Sequence, residues 1–321
     1  MAKSEKYLFG PVLSRRLGRS LGVDIVPFKV CSLDCIYCQL GLTSQKTIER
    51  KPYVPLRPVL DELEKAVAKG LQADFITFSG SGEPTLNSLL GQFIDGVRKL
   101  TDIPVAILTN GTLFYRDDVR ADCAKADVVL PSLDAGDEQT FRKINRPHPD
   151  LTLEKLIEGL TAFRKEFQKP VWLEVFLLEG INTDPDQIEK IKSAIKRIRP
   201  DKIQLNTAVR PTTETGLEPL DDHRLSEIAA QIGDKCEVIA DTSPIHPLRG
   251  EHRARAAAQP APSGQMKDLL SILKRRPCSL EDLASALSLN RAQVLKYLDT
   301  LQRQGLIQAE TKDGTTFFKA S

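Results

Sequence analysis

Three cysteines, Cys31, Cys35 and Cys38, stand in the run Val30-Cys31-Ser32-Leu33-Asp34-Cys35-Ile36-Tyr37-Cys38-Gln39. The spacing C-x3-C-x2-C gathers three thiolates on one short loop. Thiolates are soft ligands that select iron–sulfur clusters, zinc or Cu(I). A closed structural site uses four protein ligands, yet the first histidine along the chain is His148. Three ligands on a four-iron cube leave one iron open to a substrate or cofactor. A zinc loop and clustered free thiols are the other readings of the spacing alone.

Further polar groups follow apolar runs at intervals. Phe78-Ser79-Gly80-Ser81-Gly82-Glu83-Pro84-Thr85 combines glycines, which let backbone approach a ligand, with the acceptor Glu83. Leu108-Thr109-Asn110-Gly111-Thr112 offers a donor and an acceptor on Asn110. Pro131-Ser132-Leu133-Asp134-Ala135 offers Ser132 and Asp134. Glu179-Gly180-Ile181-Asn182, Asn206 and Arg210-Pro211 complete the series. Asn-Gly and Ser-x-Asp also make ordinary turns, so these strings gain meaning only from their shared position.

That position comes from the elements. Residues 22–27, 74–79, 104–109, 127–132, 171–178, 202–206 and 237–240 read as strands. Residues 60–69, 86–100, 153–167 and 185–198 carry apolar side chains at helical spacing. Alternating strand and helix predicts parallel strands joined by right-handed crossovers, and an α/β open (β/α)6 partial TIM barrel is the economical architecture. Ligands of such sheets collect at the carboxyl ends of strands, where the cysteine loop and every string above fall.

Taken together, Cys-x3-Cys-x-aromatic-Cys with Tyr37 as the aromatic resembles the signature of the radical S-adenosylmethionine (SAM) superfamily. The resemblance implies that Cys31, Cys35 and Cys38 hold a [4Fe–4S] cluster whose open iron binds SAM. It implies reductive cleavage of SAM to a 5′-deoxyadenosyl radical, by an electron from a flavodoxin or ferredoxin. It places Tyr37 against the adenine and the Gly82-Glu83 segment at the SAM amino group. Asn110, Ser132 and Asn182 become cofactor neighbours, Asn182 near the ribose. Ser81 stands where the superfamily has a first glycine.

Residues 9–22, with Arg15, Arg16 and Arg19 among glycines and serines, suit phosphate or carboxylate. This string and Cys38-Gln39-Leu40-Gly41 resemble radical SAM proteins grouped with wyosine-type tRNA base synthesis. Those enzymes carry an extra cysteine set before the SAM loop, whereas no cysteine precedes Cys31 here.

The chain divides at residues 250–265, an Ala-, Pro-, Gly- and charge-rich linker. Residues 1–249 form the barrel and 266–321 a second, small domain. The latter reads as three helices and a hairpin with Ser279 and Asn290 as N-caps, Gly305 as a C-cap and Asp313-Gly314 as its turn. That pattern resembles a winged helix-turn-helix. Its nine Lys or Arg against six Asp or Glu make either a nucleic acid or a protein its partner.

The 321 residues carry 45 Lys plus Arg against 43 Asp plus Glu, a net +2 that singles out no polyanionic partner for the whole chain. No apolar run nears the roughly 18 residues that span a bilayer, and Met1 to Gly10 lacks a signal-peptide core, so a cytoplasmic protein off the membrane is expected. Three cysteines within eight residues make a poor disulfide framework; Cys123, Cys236 and Cys278 read as buried bystanders. His148, His223, His246 and His252 lack ligand spacing and read as loop or surface residues. Two functions emerge. One is a radical SAM enzyme on an unidentified substrate, a tRNA base or other nucleic acid among them. The other is an iron–sulfur redox sensor that regulates transcription by binding DNA through the winged helix.

Overall fold

The computed structural model describes residues 7–240 and 263–321. Most of the 250–265 linker, with His246 and His252, lies outside the described residues; its end, from Ser263, opens a helix.

The chain begins with a hairpin, β1 (Leu8–Ser14) against β2 (Gly18–Val23). Short strands β3 (Val30–Cys31) and β4 (Gln45–Lys46) follow, then α1 (Leu56–Ala68) and β5 (Phe75–Phe78). A turn of 3-10 helix (Pro84–Leu86) precedes α2 (Leu90–Leu100), β6 (Val105–Thr109), α3 (Asp117–Cys123) and β7 (Val128–Pro131). Next come α4 (Glu138–Ile144), α5 (Leu153–Glu166), β8 (Trp172–Leu177), α6 (Pro185–Ile198), β9 (Lys202–Thr207), α7 (Asp222–Ile232) and β10 (Cys236–Val238). Strands β2, β5, β6 and β7 run parallel in one sheet, and β8, β9 and β10 in another. Parallel bridges Val129–Val171 and Ser132–Glu174 join the two, which completes a curved parallel wall. No pairing among the described residues joins β1 or β2 to β10, so the barrel is open along that side, as the strand–helix alternation predicts.

The first strand departs from the sequence pattern. It runs 18–23 rather than 22–27, because residues 8–14 fold back on it, and Arg15 and Arg16 become the tip of a hairpin. That tip lies at the amino end of the wall, where Leu17 packs with Ala106, Val128 and Leu130 to close the barrel floor. The larger core fills the space between strands and outer helices, from Phe78, Phe93 and Phe114 to Phe163. Helices α3, α4 and α7 are additional to the pattern. Two are seven residues long, too short for a clear helical period.

After the linker come α8 (Ser263–Leu273), β11 (Cys278–Ser279), α9 (Leu280–Leu287), α10 (Arg291–Arg303), β12 (Ile307–Lys312) and β13 (Thr315–Ala320). Ser279 and Asn290 each close a capping box, and Gly305 takes the left-handed conformation just after Gln304 ends α10. Asp313 and Gly314 both have positive φ, as a tight hairpin turn requires. Three helices and the sheet β11-β13-β12 enclose a core of Leu269, Leu283, Leu298 and Ile307, which also takes in Val12 of β1. The segment therefore packs on the barrel's hairpin. Arg275 pairs with Asp24 and Arg210 with Asp282, and Lys312 Nζ donates to the Ala208 carbonyl at 2.5 Å.

Candidate functional site

The cysteine loop leaves the end of β2 and is tied to the α4 end of the barrel. Asp34 N donates to the Asn145 carbonyl at 2.9 Å, Ile36 N to that of Ile144 at 2.9 Å, and His148 N to that of Ser32 at 2.9 Å. Ser32 and Thr112 hydroxyls share a 2.7 Å bond. So held, the three half-buried sulfurs each receive one side-chain donor. Asn110 Nδ2 lies 3.5 Å from Cys31 Sγ, Asn145 Nδ2 3.4 Å from Cys35 Sγ and Lys29 Nζ 3.0 Å from Cys38 Sγ. Burial, then Glu83, pushes the Cys31 thiol up to about 12, and burial, then Asp134, raises Cys35. Such thiols stay protonated until a cation displaces the proton.

Among the described residues no three His, Cys, Asp or Glu side chains converge on one point as a single-ion site would need. A cubane makes no such demand, since each cysteine takes a different iron. Three separated sulfurs, each facing an N–H donor, fit a cluster: hydrogen bonds to sulfur are among the features that set its potential.

The Gly82-Glu83 loop packs directly on the cysteine strand. A side chain on Gly82 would put Cβ 2.0 Å from the Val30 carbonyl oxygen, so only glycine fits, and Glu83 N donates to that same oxygen at 3.1 Å. Glu83 is 2% exposed. Its Oε1 accepts from Thr85 N (3.0 Å), Thr85 Oγ1 (2.6 Å) and Thr109 Oγ1 (2.6 Å), while Oε2 accepts only from Asn110 N at 2.7 Å. Burial nonetheless keeps the carboxyl above its ordinary value. The spare lone pair is therefore on Oε2, on the Asn110 side. Asn110 joins all three pieces, because its Nδ2 also donates to Ser32 Oγ at 2.9 Å.

Across the mouth, Tyr37 stacks on Phe176 with centroids 4.0 Å apart and planes 9° from parallel. Its hydroxyl donates to Asp134, which also accepts from Asn145 Nδ2 at 2.8 Å and Phe176 N at 3.0 Å. Burial pushes Asp134 up to about 6. Ser132 is half-buried beside Glu174 on the next strand. Asn182 is differently placed from the sequence expectation. It is fully buried, donates to the Asp134 and Phe176 carbonyls at 2.8 Å each, and accepts from Leu178 N at 2.8 Å. Its amide is thus used on backbone, fastening the ends of β7 and β8 instead of facing the ribose.

Lys29 and Asn145 have no motif signal in the sequence. Lys29 precedes the triad at a positive φ of 60°, and Asn145 lies 110 residues past Cys35. Asn145 Oδ1 is buried without a hydrogen-bond partner, an acceptor beside the cysteine loop. Two surface clefts, between α5 and α6 and between α1 and α2, are lined by outer-helix residues and lie away from this site.

The family model described as the Radical SAM superfamily matches residues 25–195. A "UPF0026 protein" of Helicobacter pylori strain J99 is 30% identical over 325 residues, covering 100% of both chains. A protein named "GTPase Obg" from Brachyspira hyodysenteriae is 35% identical over 309 residues, 96% of this chain; the match spans only 44% of that longer protein. The crystal structure of Streptococcus suis SuiB bound to S-adenosylmethionine superposes with TM-score 0.51 at 16% identity, over 68% of this chain and 50% of that one. At that identity the likeness is one of fold.

Proposed function

The chain belongs to the radical SAM superfamily and, within it, to the UPF0026 proteins, and on that premise we propose that it is an enzyme working through a [4Fe–4S] cluster and SAM. Cys31, Cys35 and Cys38 hold the cluster. When bound, cluster and SAM together supply a 5′-deoxyadenosyl radical. The protein's part is to bind, orient and exclude water. Asn110, Asn145 and Lys29 donate to the three sulfurs, Gly82 lets the SAM loop lie against the cysteine strand, and Glu83 Oε2 offers the acceptor for the SAM amino group. Tyr37, set by Phe176 and Asp134, faces the adenine; Ser132 borders the cofactor from β7. Asn182 acts by positioning Asp134.

The observation that carries this reading is the one-donor-per-sulfur arrangement beside the Gly82-Glu83 loop. A redox sensor without turnover has no use for that loop's spare acceptor. We read residues 266–321 as a winged helix-turn-helix domain after the 250–265 linker, with 1–249 as the barrel. Among the described residues no helix is long and apolar enough to cross a membrane, and the six cysteines are unpaired, which favours a reducing, cytoplasmic setting with a flavodoxin or ferredoxin as donor. What supports a tRNA-base or other nucleic-acid substrate is the basic string 9–22 together with the basic residues of the 266–321 segment.

Anaerobic reconstitution with iron and sulfide, reduction with dithionite and chromatography after adding SAM test the proposal. About four irons per chain and release of 5′-deoxyadenosine are expected. Zinc in place of iron overturns it.

A further inference from the structure

The barrel interior is layered. Its floor, at the amino ends of the strands, is the apolar Leu17, Ala106, Val128 and Leu130. Its roof is the cysteine loop with Tyr37 on Phe176. Between them lies a polar layer. Arg16 Nη1 donates to Glu174 Oε2 at 2.8 Å, Asn206 Nδ2 donates to Glu174 Oε1 at 2.8 Å, and Arg15 Nη2 reaches Asn206 Oδ1 at 3.4 Å. The C-terminal segment supplies part of the wall beside this layer. Arg210, just after β9, donates to both oxygens of Asp282 in α9, at 3.2 and 3.1 Å. Arg276, before β11, has its Nε buried with no hydrogen-bond partner.

Charge does not balance there. Arg16 and Arg210 are matched by Glu174 and Asp282. Against the cost of burial, neighbouring arginines hold both carboxyls below their ordinary values, so both are ionised. Arg15 and Arg276 have no carboxylate within ion-pair distance among the described residues. Arg15 is exposed at the hairpin tip, within reach of the charges of Arg210, Glu174, Arg16 and Arg276. Burial, then the charge of Arg210, lowers it to about 10, with Arg16 and Arg276 adding to the repulsion. It stays protonated at neutral pH. Four guanidiniums against two carboxylates leave an excess of two positive charges, part of it desolvated. Gathering unpaired charge in this way is unfavourable unless an anion enters, and guanidinium forks match phosphate oxygens two at a time.

We propose that Arg15, Arg210 and Arg276 form an anion subsite in the wall of the reaction chamber, which takes the phosphate monoester group of the substrate. The dianionic charge of a monoester equals the excess; a backbone phosphodiester carries half of it. The C-terminal segment is then a wall of the site, and substrate contacts span residues 15 to 276. This inference rests on the barrel interior being the reaction chamber of the proposed enzyme.

Calorimetric titration of the reconstituted full-length protein with inorganic phosphate tests it. Saturable binding is expected, weakened at least tenfold by Arg276→Gln and by Arg15→Gln, partly kept by Arg276→Lys, and unchanged by Arg291→Gln on α10. Arg15 sits at a hairpin tip, so its variant guards against a folding defect in the Arg276 change. No saturable binding to wild type, or wild-type affinity in both glutamine variants, overturns the subsite. A phosphodiester oligonucleotide that displaces phosphate more strongly than a nucleoside monophosphate does overturns the monoester assignment. SAM cleavage is measured on the same wild-type sample: cleavage without phosphate binding sinks this inference alone, whereas loss of both sinks the enzyme reading beneath it.

Discussion

Arg275 Nε donates to Asp24 Oδ2 at 3.0 Å, an ion pair with both side chains at 10% exposure or less, joining residues 251 apart in sequence. The same carboxylate accepts from Ser81 Oγ at 2.5 Å and Ser81 N at 3.2 Å. Asp24 is thus shared by the Gly82-Glu83 loop and the C-terminal segment. The guanidinium also lies 4.7 Å from the Phe9 ring centroid in β1. One carboxylate couples the Gly82-Glu83 loop and the C-terminal segment, and through Arg275 the β1 hairpin.

Removing the arginine gives a pH-dependent loss. Burial outweighs Arg275 and Ser81 and holds Asp24 above its ordinary value. An acid raised in the folded state is disfavoured once it ionises, so the penalty grows as pH rises above the unfolded value of about 3.9. Arg275→Met leaves the carboxylate without that counter-charge and should cost about 3 kcal/mol at pH 7. The deficit against wild type should shrink as pH falls through the raised folded-state value, where Asp24 takes a proton. Thermal melts of both proteins across that range check the slope; a deficit independent of pH refutes the role given to Asp24.

A second prediction concerns Lys29. Its ammonium is 3.0 Å from Cys38 Sγ, close enough to stabilise negative charge on the sulfur. Lys29→Met removes both a donor and a charge. Since a reduced cluster carries more negative charge than an oxidised one, the variant should be harder to reduce, by an amount on the order of tens of millivolts. Redox titration followed by electron paramagnetic resonance reads the shift, and an unchanged potential with full iron content counts against the contact.

Gly82→Ala tests a close approach. The added Cβ would meet backbone, the Val30 oxygen at 2.0 Å, and backbone one residue from Cys31 cannot yield as a side-chain tip would. Overpacking of this kind costs about 3 kcal/mol, and the displaced strand carries the first cysteine. We expect a lower melting temperature together with less iron bound per chain. Normal iron loading in a destabilised variant would show that the strand absorbs the shift without moving the thiol.

Spacing alone was enough to mark the residues that the fold brings to one mouth of the barrel. The cysteine triad, Glu83 and Asn110 share one mouth because each follows a parallel strand, and strand–helix alternation makes that position legible. Spacing also located the capping boxes of Ser279 and Asn290, which are local. It did not reach groups whose role depends on long-range packing. Lys29 and Asn145 carry no motif, and nothing in Arg15-Arg16 announces a hairpin tip that turns into the barrel. Leu17, the apolar residue beside them that plugs the floor, is a clue visible only once the hairpin is known. Asn182 failed in the other direction: its place after a strand suggested a ligand, and burial spent its amide on backbone.

That reassignment leads to the last prediction. Asn182 makes three 2.8 Å bonds to backbone at the ends of β7 and β8, in complete burial. Asn182→Ala leaves one N–H and two carbonyls there without these partners, and each orphaned group costs about 1–3 kcal/mol. The melting temperature should therefore fall with or without SAM, and the Leu178 amide should lose protection from hydrogen exchange. A ribose contact would behave otherwise, since its loss weakens SAM binding while leaving the free protein's melt unchanged. The comparison of melts without SAM separates the two roles. A variant whose SAM-free melt matches wild type and whose SAM affinity drops restores Asn182 to the cofactor.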